Sequence, residues 1–375
     1  MNNDYDIAVK NDDGVTIYYN YINEGKELEV TSNGPDSYTG SVVIPREVTF
    51  MNKNRMVTSI GDSAFRKCSE LVSVTIPNSV TTIGGAAFSG CYSMTSIVIP
   101  KSVSSIGKRT FENCSDLASI TIPNSVNVIG MFAFSGCSSL TTIIIPNSVT
   151  SIDDWAFSYC HRLKSVEIPN SVTSIGDEAF SNCSSLTSIT IGNGVTNLGE
   201  RVFLGCSSLT SVIIPNSVTS MGSAIFRDCS ALTAVAIGNG VTSIGDKAFY
   251  MCSALTAVAI GNGVTSIGDE AFYMCSALTT IAIPDGVASI GESAFCGCSA
   301  LTTISIPDSV TRIEKSTFFD CSNLKAVMIP NSVTSIGDTA FFNCSSLTTI
   351  TIPDNVTNIG RDAFRFMYLE TSKQP

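Results

Sequence analysis

The chain has 375 residues, 44% of them apolar and only 14% charged, with 32 Asp and Glu against 21 Lys and Arg for a net charge of −11. That balance repels nucleic acid and anionic membrane surfaces, and no Lys/Arg cluster offsets it. No run of about 18 apolar residues is present to cross a bilayer, so membrane insertion is not expected.

The first residues, MNNDYDIAVK, are polar and acidic and lack the apolar segment of a signal peptide. The expectation is a secreted or cell-surface protein whose leader is absent from this chain, with a cytoplasmic location left open. Residues 1–40 carry no repeat. Val15–Ile22 and Glu27–Thr31 are β-rich runs on either side of Asn23-Glu24-Gly25, which predicts a hairpin cap. Such a cap covers an edge that would otherwise pair with other chains.

Residues 41–375 read as one repeat solenoid. Ser41–Pro45 and Val57–Gly61 match the two extended segments of later repeats, but extra residues around Asn52-Lys53-Asn54 separate them. That predicts an enlarged first repeat at 41–68, with a second small hairpin inside it. Regular units of 23 residues then run from about 69 to 367. Cysteine recurs every 23 residues from Cys68 to Cys344, and phenylalanine three positions earlier from Phe65 to Phe364. A fixed period of this size means stacked repeats, each touching only its neighbours.

One unit, 163–185, shows the plan. Leu163, Val166 and Ile168 alternate with Ser165 and Glu167, the period of a short strand with one buried side. Pro169-Asn170 ends it, because Pro donates no ladder hydrogen bond. In three units Gly-Asn-Gly stands there instead (Gly192, Gly238 and Gly261 lead them), and flexible glycine is expected to make the same bend. Val172-Thr173-Ser174-Ile175 predicts a second short extended segment. Asp177-Glu178-Ala179-Phe180 predicts one helical turn, capped by the acid, with Asp62, Asp154, Asp246, Asp269 and Asp338 in the same place. Units 230–252 and 253–275 differ only at Lys247 against Glu270, which indicates a recent duplication.

The pattern Leu-x-x-Ile-x-Ile-Pro-x-Ser-Val-x-x-Ile-Gly-x-x-Ala-Phe-x-x-Cys resembles the BspA-like leucine-rich repeat of bacterial and protist surface proteins. Leu163, Val166, Ile168, Pro169, Ser171, Val172, Ile175, Gly176, Ala179, Phe180 and Cys183 carry it here. The resemblance implies a curved right-handed leucine-rich solenoid with short parallel strands on its concave face. It also implies adhesion to matrix proteins, cells or other microbes, and no catalytic residues. The chain departs from the pattern at Asp153 and Glu314, where Gly is expected, and at Met94 in place of Leu.

The cysteines leave two readings open. A stacked column of free thiols would act as small buried apolar groups. Rung-to-rung disulfides are within reach, since strands lie about 4.8 Å apart. Cys296 alone lies off the column and is the candidate reactive thiol. The single histidine, His161, is expected to be a solvated loop residue, and no cofactor or metal site is expected. No phosphate loop, nucleophile elbow or zinc-knuckle spacing appears, so the chain reads as no enzyme.

The outward strand positions, Ser73 to Thr349 and Thr75 to Thr351, are nearly free of charge. The candidate partner-binding residues lie in the second of these ranks: Val98, Ile144, Glu167, Ile213, Ala236, Ala259 and Met328. Concave solenoid faces are the usual binding surfaces. A protein or glycan ligand, on extracellular matrix or another cell surface, is therefore the expected partner. A structural scaffold without a ligand is the alternative, and the oligomeric state is expected to be monomer or end-to-end dimer.

Overall fold

The computed structural model describes residues 5–367. The chain divides into two compact units, Met1–Leu186 and Thr187–Pro375. In the first, β1 (Ile7–Lys10), β2 (Thr16–Ile22) and β3 (Glu27–Thr31) form an antiparallel ribbon, with Asn23–Gly25 turning between β2 and β3. The expected hairpin is there, lengthened by a strand, β1, that the sequence reading did not anticipate. β4 (Gly40–Val43) begins the strand side of the solenoid, and β5 (Glu47–Phe50) pairs antiparallel with β6 (Lys53–Ile60). The turn of this second hairpin is Met51-Asn52, both at positive φ, as a two-residue hairpin turn requires. The cap joins the stack because β3 pairs parallel with β6, and β6 pairs parallel with Thr82–Ile83.

From there both units are β-solenoid, each turn one 23-residue repeat in parallel register with the next. Ser211, Val212, Ile213 and Ile214 face Ala234, Val235, Ala236 and Ile237, for example, and the second extended segments pair in the same way. The inward residues are those of the repeat pattern. Leu163, Val172, Ile175, Ala179, Phe180 and Cys183 are all fully buried, as is Met94 in its leucine position. The phenylalanine rings form a continuous stack within each unit, with centroids 5.0–5.5 Å apart from Phe65 to Phe180 and 5.1–5.7 Å apart from Phe203 to Phe364. At the capped end Tyr38 continues the stack, 4.5 Å from Phe65. Its buried hydroxyl accepts from Tyr18 N–H and donates to the Thr31 carbonyl.

The third side of each rung corrects the expected helical turn. The segment is a chain of β-turns, and two residues per rung, four apart, lie in the left-handed region: Trp155 and Tyr159, then Glu178 and Asn182. Alternate N–H groups close the turns, Ala156 to the Asp153 carbonyl and Ser158 to that of Trp155. The others reach the next rung, with Trp155, Phe157 and Tyr159 donating to Asp177, Ala179 and Ser181 at 2.8 Å. A helix needs those same donors for its own carbonyls. Stacking satisfies them instead, so the helix does not form. The acids follow suit. Asp154 Oδ1 accepts from Asp177 N–H at 2.8 Å and Asp246 Oδ1 from Asp269 N–H at 2.9 Å, so each carboxylate caps the following rung rather than its own.

Two motif residues gain a reason from the stack. The serine after Pro-Asn donates to the valine carbonyl of the rung before, as Ser125 does to Val103 at 2.6 Å and Ser332 to Val310 at 2.7 Å. Where Gly-Asn-Gly replaces it, space rather than flexibility decides: a Cβ on Gly240 or Gly263 would collide with the carbonyl oxygen of Asn216 or Asn239. Asparagine then links these rungs, Asn239 and Asn262 N–H donating to Asn216 and Asn239 Oδ1 at 2.8 and 2.9 Å.

Candidate functional site: the outward strand face

Short strands on a packed core give the outward residues fixed positions. Leu209, Val212 and Ile214 point inward and are buried, which forces Thr210, Ser211 and Ile213 outward. In the second unit Ile213, Ala236 and Ala259 fall side by side on three successive strands. Met328 lies further along, opposite Ser305. In the first unit the Thr142–Ser165 bridge sets Ile144 beside Glu167, and Val98 bridges Thr121. Val98, Ile144, Ile213 and Met328 are 75%, 81%, 71% and 73% exposed. Glu167 and Ala259 are exposed, and Ala236 is half-buried.

The four large apolar side chains do not merge into one patch. Thr121 separates Val98 from Ile144, and Ala236, Ala259, Ala282 and Ser305 separate Ile213 from Met328. A shallow groove beside Val98 adds relief to the face, lined by Asn78, Pro100, Lys101, Thr121 and Pro123. The flanking threonine rank is less available than its exposure implies. Thr210, Thr233 and Thr256 each donate through Oγ1 to the carbonyl of the threonine one rung earlier, at 3.0–3.3 Å. Those hydroxyls are tied to the backbone, which fixes their rotamers.

The cysteine column is a hydrogen-bonded ladder of free thiols, all buried. Cys91 Sγ donates to the Phe65 carbonyl at 3.0 Å and Cys160 Sγ to that of Phe134 at 3.3 Å, a contact that recurs along both units. Burial pushes the thiols upward, Cys137 and Cys183 to about 12. Cys296 is not the reactive thiol expected of it. It too is buried, and burial followed by the charges of Asp320 and Glu270 pushes it up to about 11. Reactive cysteines need the opposite environment, exposed and electropositive. His161 is exposed, its ring edge-on to Tyr159 at 5.8 Å. Among the described residues no three His, Cys, Asp or Glu side chains converge on a metal position. No helix among them is long and apolar enough to cross a membrane.

Sequence reasoning missed the ladders on the turn side. Arg109, Phe132 and Trp155 stack in successive rungs, the two rings 4.9 Å apart. Arg227, Tyr250 and Tyr273 do the same in the second unit. Aligning turn positions rung by rung would have found them, since each is one position sampled every 23 residues.

With the stacked rungs and their inward pattern established, the family follows. The BspA-type leucine-rich repeat region profile, in six copies, matches residues 46–164, 152–277 and 242–370, and the chain belongs to that family. Among solved structures it is similar to a leucine-rich repeat protein from Bacteroides ovatus, at 31% identity over 99% of each chain with a TM-score of 0.76. It is also similar to a leucine-rich cell surface protein from Faecalibacterium prausnitzii, at 32% identity over 96% of this chain and 95% of that one, TM-score 0.54. The pneumococcal vaccine antigen PcpA shares the fold at 18% identity and a TM-score of 0.50. No curated protein matches the chain.

Proposed function

We infer that this chain is a non-enzymatic binding protein, secreted or held at a cell surface, whose outward strand face engages a protein or glycan partner. The observation that carries the reading is the set of four large apolar side chains, Val98, Ile144, Ile213 and Met328, each more than two-thirds exposed on backbone fixed by the core. Exposed apolar groups on a rigid scaffold are what a partner can bury at little ordering cost. The similar Faecalibacterium prausnitzii protein, described as a cell surface protein, supports the location. The face carries little charge, so the contact is apolar and hydrogen-bonding rather than ionic.

The test is a screen of the purified chain against extracellular-matrix proteins, glycans and intact cells, repeated with the Ile144→Lys/Ile213→Lys double variant. A saturable interaction lost in the variant is the expected result, and undiminished binding would remove the strand face from consideration. The ligand-free scaffold draws on one observation, the interruption of the apolar positions by Thr, Ala and Ser, since singly scattered apolar side chains are ordinary on protein surfaces. A screen without a single saturable ligand would favour it.

A further inference from the structure

The second unit holds a groove on its turn side, lined by Asp228, Ser230, Met251, Ser253, Met274 and Ser276. It is built largely from the two duplicated repeats, so serine and methionine recur at the same places on successive rungs. Met251 and Met274 are nearly half exposed and sit in the left-handed region. Gly205 and Gly297 occupy the same position in flanking rungs, where glycine suits that conformation without strain. The Met274 sulfur lies over Gly297, close enough that a Cβ there would collide with it, and so closes one end of the groove. Asp228 stands at the other end beside the Arg227 guanidinium at 3.3 Å, and Lys247 is 3.7 Å from Glu270. The nearby charges are thus matched with one another, and the groove offers no unpaired charge to an ionic ligand.

We propose that this groove binds an extended, neutral, β-linked polysaccharide, with about one pyranose ring per rung. The argument is one of matching periods. The surface repeats its chemistry once per rung, and the adjacent Tyr250 and Tyr273 rings give that step as 4.8 Å. An extended peptide advances about 3.3 Å per residue and turns alternate side chains away, so it falls out of step with such a lattice. A linear glycan presents the same hydroxyls and the same C–H face at each ring, and a ring is about as long as a rung is thick. The Ser230, Ser253 and Ser276 hydroxyls then meet sugar hydroxyls, while the methionine side chains lie against the C–H faces.

Calorimetric titration of the full chain with neutral β-1,4-linked glucose, xylose and mannose oligosaccharides, from disaccharide to hexasaccharide, tests this. At least one series is expected to bind more tightly as the chain lengthens. The Met251→Gly/Met274→Gly variant uses a residue that this position already holds in other rungs, so it should melt no lower than the parent. It is expected to bind about tenfold more weakly or worse, some 1.4 kcal/mol. The Ile144→Lys/Ile213→Lys variant should bind these oligosaccharides unchanged, which separates this groove from the strand face. Absence of binding to every neutral series, equal binding by the methionine variant, or loss in the strand-face variant would each overturn the proposal.

Discussion

At the phenylalanine position every rung from Phe65 to Phe364 holds the same ring, stacked on the next at 5.0–5.7 Å within each unit. At the outward strand position, the same rungs run Val98, Thr121, Ile144, Glu167 in the first unit and Thr190, Ile213, Ala236, Ala259 in the second. The inward position repeats because each ring is half of its neighbour's packing surface, so a change in one rung opens a void in two. The outward position touches solvent and is free to vary. The difference separates what builds the solenoid from what it can present to a partner.

The sharpest way to break that comparison is to remove one ring. Phe249 is fully buried between Phe226 and Phe272, and Phe249→Ala should lower unfolding stability by about 3–5 kcal/mol, read as a fall in the urea midpoint. Alkaline pH attacks the neighbouring column. Thiols buried in the folded chain are pushed far above the ordinary value of 9.0. The folded state therefore retains protons that the unfolded chain releases, and their stabilisation is complete below that value. Stability should fall as pH rises from about 9 toward 12, by up to about 1.4 kcal/mol per pH unit for each such thiol. Denaturation curves at stepped pH would show it, and a flat response would contradict the buried ladder.

Smaller effects sharpen the comparison. Ser125→Ala removes the hydroxyl bonded to the Val103 carbonyl and should cost about 1 kcal/mol in the same assay. Asp153 stands where the repeat has glycine, and burial followed by the nearby Asp154 charge raises its carboxyl above the usual range. Its ionised form burdens the folded state, so Asp153→Asn should raise the melting temperature slightly at neutral pH. That gain should vanish once the pH is low enough to protonate the parent carboxyl.

Much of this architecture is legible in the sequence because the period is. The spacing of Phe65, Phe88 and Phe111, or of Cys68, Cys91 and Cys114, needs only stacking to become a core. Asp177 to Phe180 reads as a helical turn because local propensity knows nothing of a residue 22 positions away. The Trp155 and Phe157 N–H groups find carbonyls in just that place. The same non-local pairing sends the Asp154 carboxylate to the next rung and ties down the Thr233 hydroxyl. At the candidate site, strand alternation identifies Ile144 and Ile213 as outward, whereas the Met251 and Met274 groove appears only once rungs are laid side by side.

The division between inward and outward positions is tested most directly by measuring stability and binding together in the Ile144→Lys/Ile213→Lys variant. Surface substitutions of this kind shift stability by about 0.5 kcal/mol or less, so the urea midpoint should match the parent while saturable partner binding disappears. A midpoint lowered by several kcal/mol, or binding that survives intact, would show that the outward strand positions serve the fold rather than recognition.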